Sequence, residues 1–316
     1  MSKWIALVAC GALVLGAGAC GDDDDNDGGG GGGGDLSGTI KIDGSSTVAP
    51  LSEAAAELFQ AENPNVRVTV GTSGTGGGFE KFCAGETDIS DASRPIKPDE
   101  EVPVCKKNGV KYEEVQVAND GLAVVVNPQN DWAKCLTVAE LKEIWDKGST
   151  VKNWKEVNPD FPSEPMELFG AGTDSGTFDY FTEAINGEEG RSRTDYNATE
   201  DDNVTVQGVS GSRGGIGYFG LSYAQENEGK VKPVEVDGGG SCVAPSPDTV
   251  QDGSYKPLSR PLFIYPSDKA LQRPEVRAFV EYYLENQDKI TEQALFVPMT
   301  PEQLKKSEDR VAQLAG

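Results

Sequence analysis

The sequence predicts a layered α/β fold divided into two lobes, and three observations carry that prediction. Short β-like stretches alternate with helical patterns along the chain, as in sheets covered by helices on both faces. The run Gly121-Leu-Ala-Val-Val-Val126 is apolar without alternation, which marks a strand buried on both sides. About 280 residues follow a leader and a low-complexity stretch, more than one hydrophobic core usually organises.

The elements follow in order. Residues 39–42 alternate like a strand, and 51–62 place Leu51, Ala54, Ala55, Leu58 and Phe59 at helical spacing before Asn63-Pro64 stops them. A second strand spans 66–70, and a glycine turn then leads to a short helix from Phe79. Residues 138–145 read as a helix, 167–169 as a strand, and 178–185 as a helix with Phe178, Phe181 and Ile185 on one face. Residues 204–209 and 215–219 read as strands around a turn, and 262–265 as another. Helices at 274–286 and 301–314 close the chain.

The first nineteen residues form a lipoprotein-type export signal. Lys3 is its only charge, 4–15 are apolar, and Gly16-Ala-Gly-Ala19 lead to Cys20, the residue expected to take a diacylglyceryl group and become the mature N-terminus. Residues 20–37 make a lipidated cysteine and an Asp/Gly-rich tether with a reach of about 20 Å. That design keeps a body near a membrane, through a lipid anchor only.

Cleavage and lipidation leave Cys83, Cys105, Cys135 and Cys242, an exported set that implies two disulfides with three possible connectivities. No histidine and no CxxC spacing occur, so neither a metal site nor a cofactor is expected. The net charge is −24, and losing Lys3 with the leader makes it −25. Such acidity excludes nucleic acid as a partner, yet it does not exclude a small anion held by local dipoles.

Three hydroxyl-and-glycine turns each lie between a strand pattern and a helix pattern: Gly44-Ser-Ser-Thr47, Gly74-Thr-Gly-Gly-Gly78 and Asp174-Ser-Gly-Thr177. A helix start offers unpaired N–H groups and partial positive charge, hydroxyls add donors, and glycine lets a ligand approach the backbone. An ordinary cap would use one hydroxyl, whereas Ser45-Ser46-Thr47 carry surplus ones. The second turn lacks the Gly-Lys-Ser/Thr of a P-loop and the last glycine of a dinucleotide fingerprint. Around the third there is no GxSxG elbow, and without histidine no Ser-His-Asp relay can form. A fourth segment, Asp91-Ala-Ser-Arg-Pro95, sets the hydroxyl of Ser93 beside the forked donor of Arg94.

In this order, Asp43-Gly-Ser-Ser-Thr-Val-Ala-Pro50, Gly74-Thr-Gly-Gly-Gly78, Asp88-Ile-Ser-Asp-Ala-Ser-Arg-Pro95, Asp174-Ser-Gly-Thr177 and Gly215-Ile-Gly-Tyr218 resemble the substrate-binding proteins of bacterial phosphate ABC transporters. Gly172-Thr-Asp-Ser-Gly-Thr-Phe-Asp-Tyr-Phe-Thr-Glu183 and Glu200-Asp-Asp-Asn-Val204 are similar to segments of the cyanobacterial-type branch. The resemblance implies a two-lobed periplasmic-binding-protein fold of the second type, with a hinge of two crossovers near 118–122 and 258–262. Lobe I would comprise 36–118 plus 259–316, and lobe II 119–258. With that layout Cys83 is expected to pair with Cys105 and Cys135 with Cys242, each pair within one lobe.

The implied ligand set is Ser46, Thr47, the backbone N–H of Val48, Thr75, Ser93, Arg94, Asp174, Ser175, Gly176 and Thr177. Better-known members carry an aspartate where this chain has Ser93-Arg94, and an arginine before Ser-Gly-Thr where it has Ala171. The positive charge is therefore expected at Arg94, as the only one in the site, and the proton acceptor at Asp174 or Asp91. The resemblance implies a monomeric extracytoplasmic lipoprotein receptor, not an enzyme, that delivers inorganic phosphate to ABC permease subunits with a cytoplasmic ATPase. The alternatives are a receptor for sulfate or molybdate, a phosphatase-like enzyme using the same cradle, or a sensing or adhesive surface protein.

Overall fold

The computed structural model describes residues 36–315. The export signal, Cys20 and nearly all of the tether lie outside the described residues.

One sheet runs through the described chain. Its strands lie in the spatial order Val66–Gly71, Gly38–Gly44, Ile89–Ala92, Ser259–Pro266, Val115–Val126, Gly215–Gly220, Glu167–Ala171, Asn197–Thr199. The three at each end are mutually parallel, and the middle pairs are antiparallel. Strand Val115–Val126 belongs to both halves: it pairs with Ser259–Pro266 up to Gly121 and with Gly215–Gly220 from Leu122 onward. All of its residues except Gln116 are buried.

Two large cores flank this strand. Ile40, Leu51, Phe59, Val115, Leu262 and Phe279 belong to one, and Val124, Trp145, Trp154, Phe181 and Tyr218 to the other. In the second, Phe181 stacks on Tyr218 with centroids 3.7 Å apart while Trp145 meets both edge-on. A smaller cluster of Phe79, Phe82 and Tyr265 surrounds the Cys83–Cys105 disulfide, and Cys135 is bonded to Cys242.

Most periodicity-based elements are present with shifted ends, but two differ in kind. Residues 204–209, expected as a strand, lie in helix Asp202–Gly211, because Asp201 caps it through Asn203 N–H and Thr205, Val206 and Val209 fall on one buried face. β-Branched composition alone suggested a strand there. The glycine turn is itself helical: helix Gly74–Ala84 begins five residues earlier than the sequence spacing implied, and its glycines let it press on strand Gly38–Gly44. A Cβ at Gly78 would lie 2.5 Å from Gly44 Cα and 3.0 Å from Asp43 O. The expected helix over 178–185 starts at Gly176 and changes to a π-helical turn at Thr182–Asn186, where Thr182 Oγ1 donates to Phe178 O.

Gly78→Ala should therefore lower stability by about 1–3 kcal/mol in urea unfolding, since backbone must move. Gly76→Ala, whose Cβ meets only Arg94 Nη2 at 3.9 Å, should be neutral or up to about 1 kcal/mol stabilising. Equal midpoints for the two variants would contradict this packing.

Candidate functional site

The first turn leaves its hydroxyls unspent. Ser45 N–H donates to Asp91 O at 3.0 Å and Ser45 O accepts from Val48 and Ala49 N–H, so backbone alone closes the turn. Helix Ala49–Glu62 has Pro50 in its opening turn and no side-chain cap. Ser46 and Thr47 thus face the cleft with free donor capacity, and Thr47 Oγ1 accepts from Arg260 Nη2 at 3.2 Å. Val48 is fully buried and its N–H is held by Ser45 O at 3.2 Å, so the donor expected there is engaged within the turn.

The second turn behaves alike. Ser73 stands at the helix start without capping it, because its hydroxyl donates to Asp43, which also receives Lys81 Nζ at 2.6 Å. Thr75 and Ser93 hydroxyls lie 3.0 Å apart, and Ser93 N–H donates to Thr75 Oγ1 at 3.2 Å, locking the two segments together.

The third turn is a true cap. Ser175 Oγ accepts from Thr177 N–H at 3.1 Å, which leaves the Ser175 hydroxyl proton free to donate. This turn lies directly against the first: a Cβ on Gly176 would stand 2.6 Å from Thr47 Oγ1.

Two adjoining recesses, each of about 250 Å³, share Ser46 and Thr47. One brings together Ser46, Thr47, Thr75, Ser93 and Arg94 with Asp179, Tyr180 and Arg260; the other holds Ser175, Gly176 and Thr177 beside Asp120 and Asp202. The expected ligand set is therefore divided, with the first turn as the common wall. Asp174 is exposed and borders neither recess.

The charges differ from the expectation. Arg94 borders the cavity, but its two Nη atoms fork onto Glu101 at 2.9 and 2.8 Å, which compensates the charge, and it is not the only cation there. Arg260 shares the cavity. Its Nε donates to Asp120 at 3.1 Å and its Cζ lies 3.5 Å from the Tyr180 ring centroid. Sequence reading missed Arg260, although the tripeptide Ser-Arg-Pro occurs at both 93–95 and 259–261, which was the available signal.

The carboxylates are also redistributed. Asp91, one of the two expected acceptors, is completely buried away from the recesses; Ser52 Oγ donates to it at 2.9 Å, and its Oδ2 has no partner. Burial, reinforced by Asp43 and Glu53, pushes its pKa up to about 7. Asp179 does border the cavity, and burial together with Glu189 raises its pKa. Asp120 is raised by burial against the opposing pull of Arg260. Among the described residues, the one grouping with metal-ligand spacing is Cys135, Glu235 and Cys242, and its two sulfurs are joined in a disulfide.

The profile of a PBP superfamily domain matches residues 30–287. Protein SphX of Synechococcus elongatus is 51% identical over 263 residues, 82% of this chain and 77% of that protein. The phosphate-binding protein PstS of Staphylococcus saprophyticus is 41% identical over 320 residues, spanning 100% of this chain and 96% of its own. Among solved structures, a possible phosphate binding protein from Planctomyces limnophilus superposes with a TM-score of 0.84 at 49% identity, covering 89% of this chain and 100% of that one. A phosphate-bound ABC transporter substrate-binding protein from Clostridium perfringens does so at 0.57 and 28%, covering 83% and 100%.

Asp91 supports a test of the buried cluster behind the first turn. Its folded pKa of about 7 exceeds the ordinary 3.8, so the folded state takes up a proton between those values and stability falls as pH rises through that window. Asp91→Asn should remove that fall. The thermal midpoint should drop less from pH 5 to pH 7.5 in the variant than in wild type, and parallel drops would refute the assignment.

Proposed function

The chain belongs to the PBP superfamily and, within it, to the family of SphX and PstS, and on that premise we propose that it is an extracytoplasmic receptor. It binds inorganic phosphate in its cleft and delivers it to an ABC importer; it is a receptor and not an enzyme. One observation carries the reading: Ser46 and Thr47, Thr75 with Ser93, and a guanidinium gather on one cavity while the Ser175 turn abuts Thr47 from the other side. Hydroxyls not consumed in capping keep donor capacity for a ligand, which suits an oxyanion.

In this reading Ser46, Thr47, Thr75, Ser93, Ser175, Gly176 and Thr177 bind the anion, with Arg94 at its margin. Asp179 replaces Asp174 and Asp91 as acceptor, since burial raises its proton affinity beside the cavity. Phosphate offers a proton to such a group at neutral pH and sulfate does not. The lobes are 36–118 plus 259–316 and 119–258, a division supported by the separate cores on either side of strand Val115–Val126. A lipid on Cys20 and the tether would hold the receptor to the membrane, through that anchor alone. The described residues expose only Val104, Val204 and Leu295 among large hydrophobics, which suits a monomer.

Calorimetric titration with phosphate, sulfate and molybdate tests the reading. Phosphate should bind and sulfate should bind at least about 100-fold more weakly, while Thr47→Ala should cost phosphate roughly tenfold. Asp179→Asn should narrow the gap between the two anions. Sulfate binding as tightly as phosphate to wild type would overturn it.

A further inference from the structure

Arg260 lies where the two halves of the sheet part company, directly opposite Asp120 in the antiparallel register between Ser259–Pro266 and Val115–Val126. Three contacts define its place. Nε donates to Asp120 Oδ2 at 3.1 Å and Nη2 to Thr47 Oγ1 at 3.2 Å. The Tyr180 ring covers the guanidinium face at 3.5 Å, and Tyr180 is itself fixed by its hydroxyl donating to Pro257 O at 2.9 Å. The side chain is 13% exposed and borders the cavity of the first turn.

We propose that Arg260 is the cation that meets the bound anion, held in orientation by Asp120 along one edge and Tyr180 across its face. The inference rests on the phosphate reading above and names the charged contact within that site. A guanidinium has five N–H donors. The bonds to Asp120 and Thr47 occupy one edge of the fork, and the group remains a planar donor beside the cavity. Arg94 contrasts with it, because both of its Nη atoms are committed to the two oxygens of Glu101. Arg260 also touches the turn of one core and an aromatic ring of the other, from strand Ser259–Pro266 beside the strand that the two halves share.

The test is calorimetric titration of the full chain with inorganic phosphate and sulfate at pH 6 and pH 8, in wild type, Arg260→Lys, Arg260→Gln, Arg94→Gln and the double variant Asp120→Asn/Arg260→Gln. The double variant removes both buried charges, so a stranded Asp120 cannot unfold the protein and mask the result. Circular dichroism establishes that each variant is folded. Arg260→Gln and the double variant should lose about 10- to 100-fold in phosphate affinity, Arg260→Lys less, and Arg94→Gln less than Arg260→Gln. The loss should be larger at pH 8, where phosphate is mostly doubly charged, than at pH 6. A folded double variant that binds phosphate within threefold of wild type, or that loses equally at both pH values, overturns the proposal while leaving the phosphate reading intact. Wild type that binds no phosphate fails that earlier reading instead, and the assignment of Arg260 falls with it.

Discussion

Strand Val115–Val126 is the constraint on which the remaining structure depends. It is buried almost throughout, yet it carries Asn119 and Asp120 at its middle, and both must be satisfied without water. Asn119 exchanges backbone bonds with Val297 and directs its amide to Pro298 O and Gln303. Asp120 is met by Arg260 from the neighbouring strand. Because the strand changes partners between Gly121 and Leu122, its polar middle coincides with the seam between the two cores. The floor of the cleft follows from that coincidence, and Gly121 lets the core close tightly on the strand at that point: a Cβ there would lie 2.5 Å from Val250 Cγ2.

A chain this acidic cannot surround an anion with cations, and the two arginines at the cleft each have a carboxylate partner. Neutral donors take on the work. Two of the three turns close through backbone bonds or through Asp43, so their hydroxyls are not consumed in capping, and only Ser175 has both duties. Thr75 is positioned by Ser93, and Thr47 by Arg260. Their geometry is therefore set before any ligand arrives.

Local signals were legible in the sequence and long-range ones were not. Strands at 39–42 and 121–126 and the helix after Pro50 followed from periodicity and stop signals, and the three turns were visible because each is a contiguous grammar of hydroxyls and glycines. Residues 204–209 misled because valine and threonine favour strands, whereas the cap at Asp201 decides for helix. Helix Gly74–Ala84 was read too short because glycine penalises a helix locally, while its contact with Gly44 demands the absence of a side chain. Arg260 was hidden for a different reason. Its importance arises from strand pairing with residues some 140 positions away, which no spacing within its own segment encodes.

The acidic margin of the cleft has a kinetic consequence. Asp179, Glu183 and Glu189 border the cavity of a molecule whose net charge is −24, so an incoming anion crosses a repulsive field before reaching its donors. Salt screens that outer field over a Debye length of about 10 Å at 0.1 M and weakens the dehydrated contacts inside much less. Capture should then quicken as ionic strength rises, the reverse of electrostatic steering. The same field speeds the departure of a ligand once the donors let go, so the acidity that slows arrival also favours release.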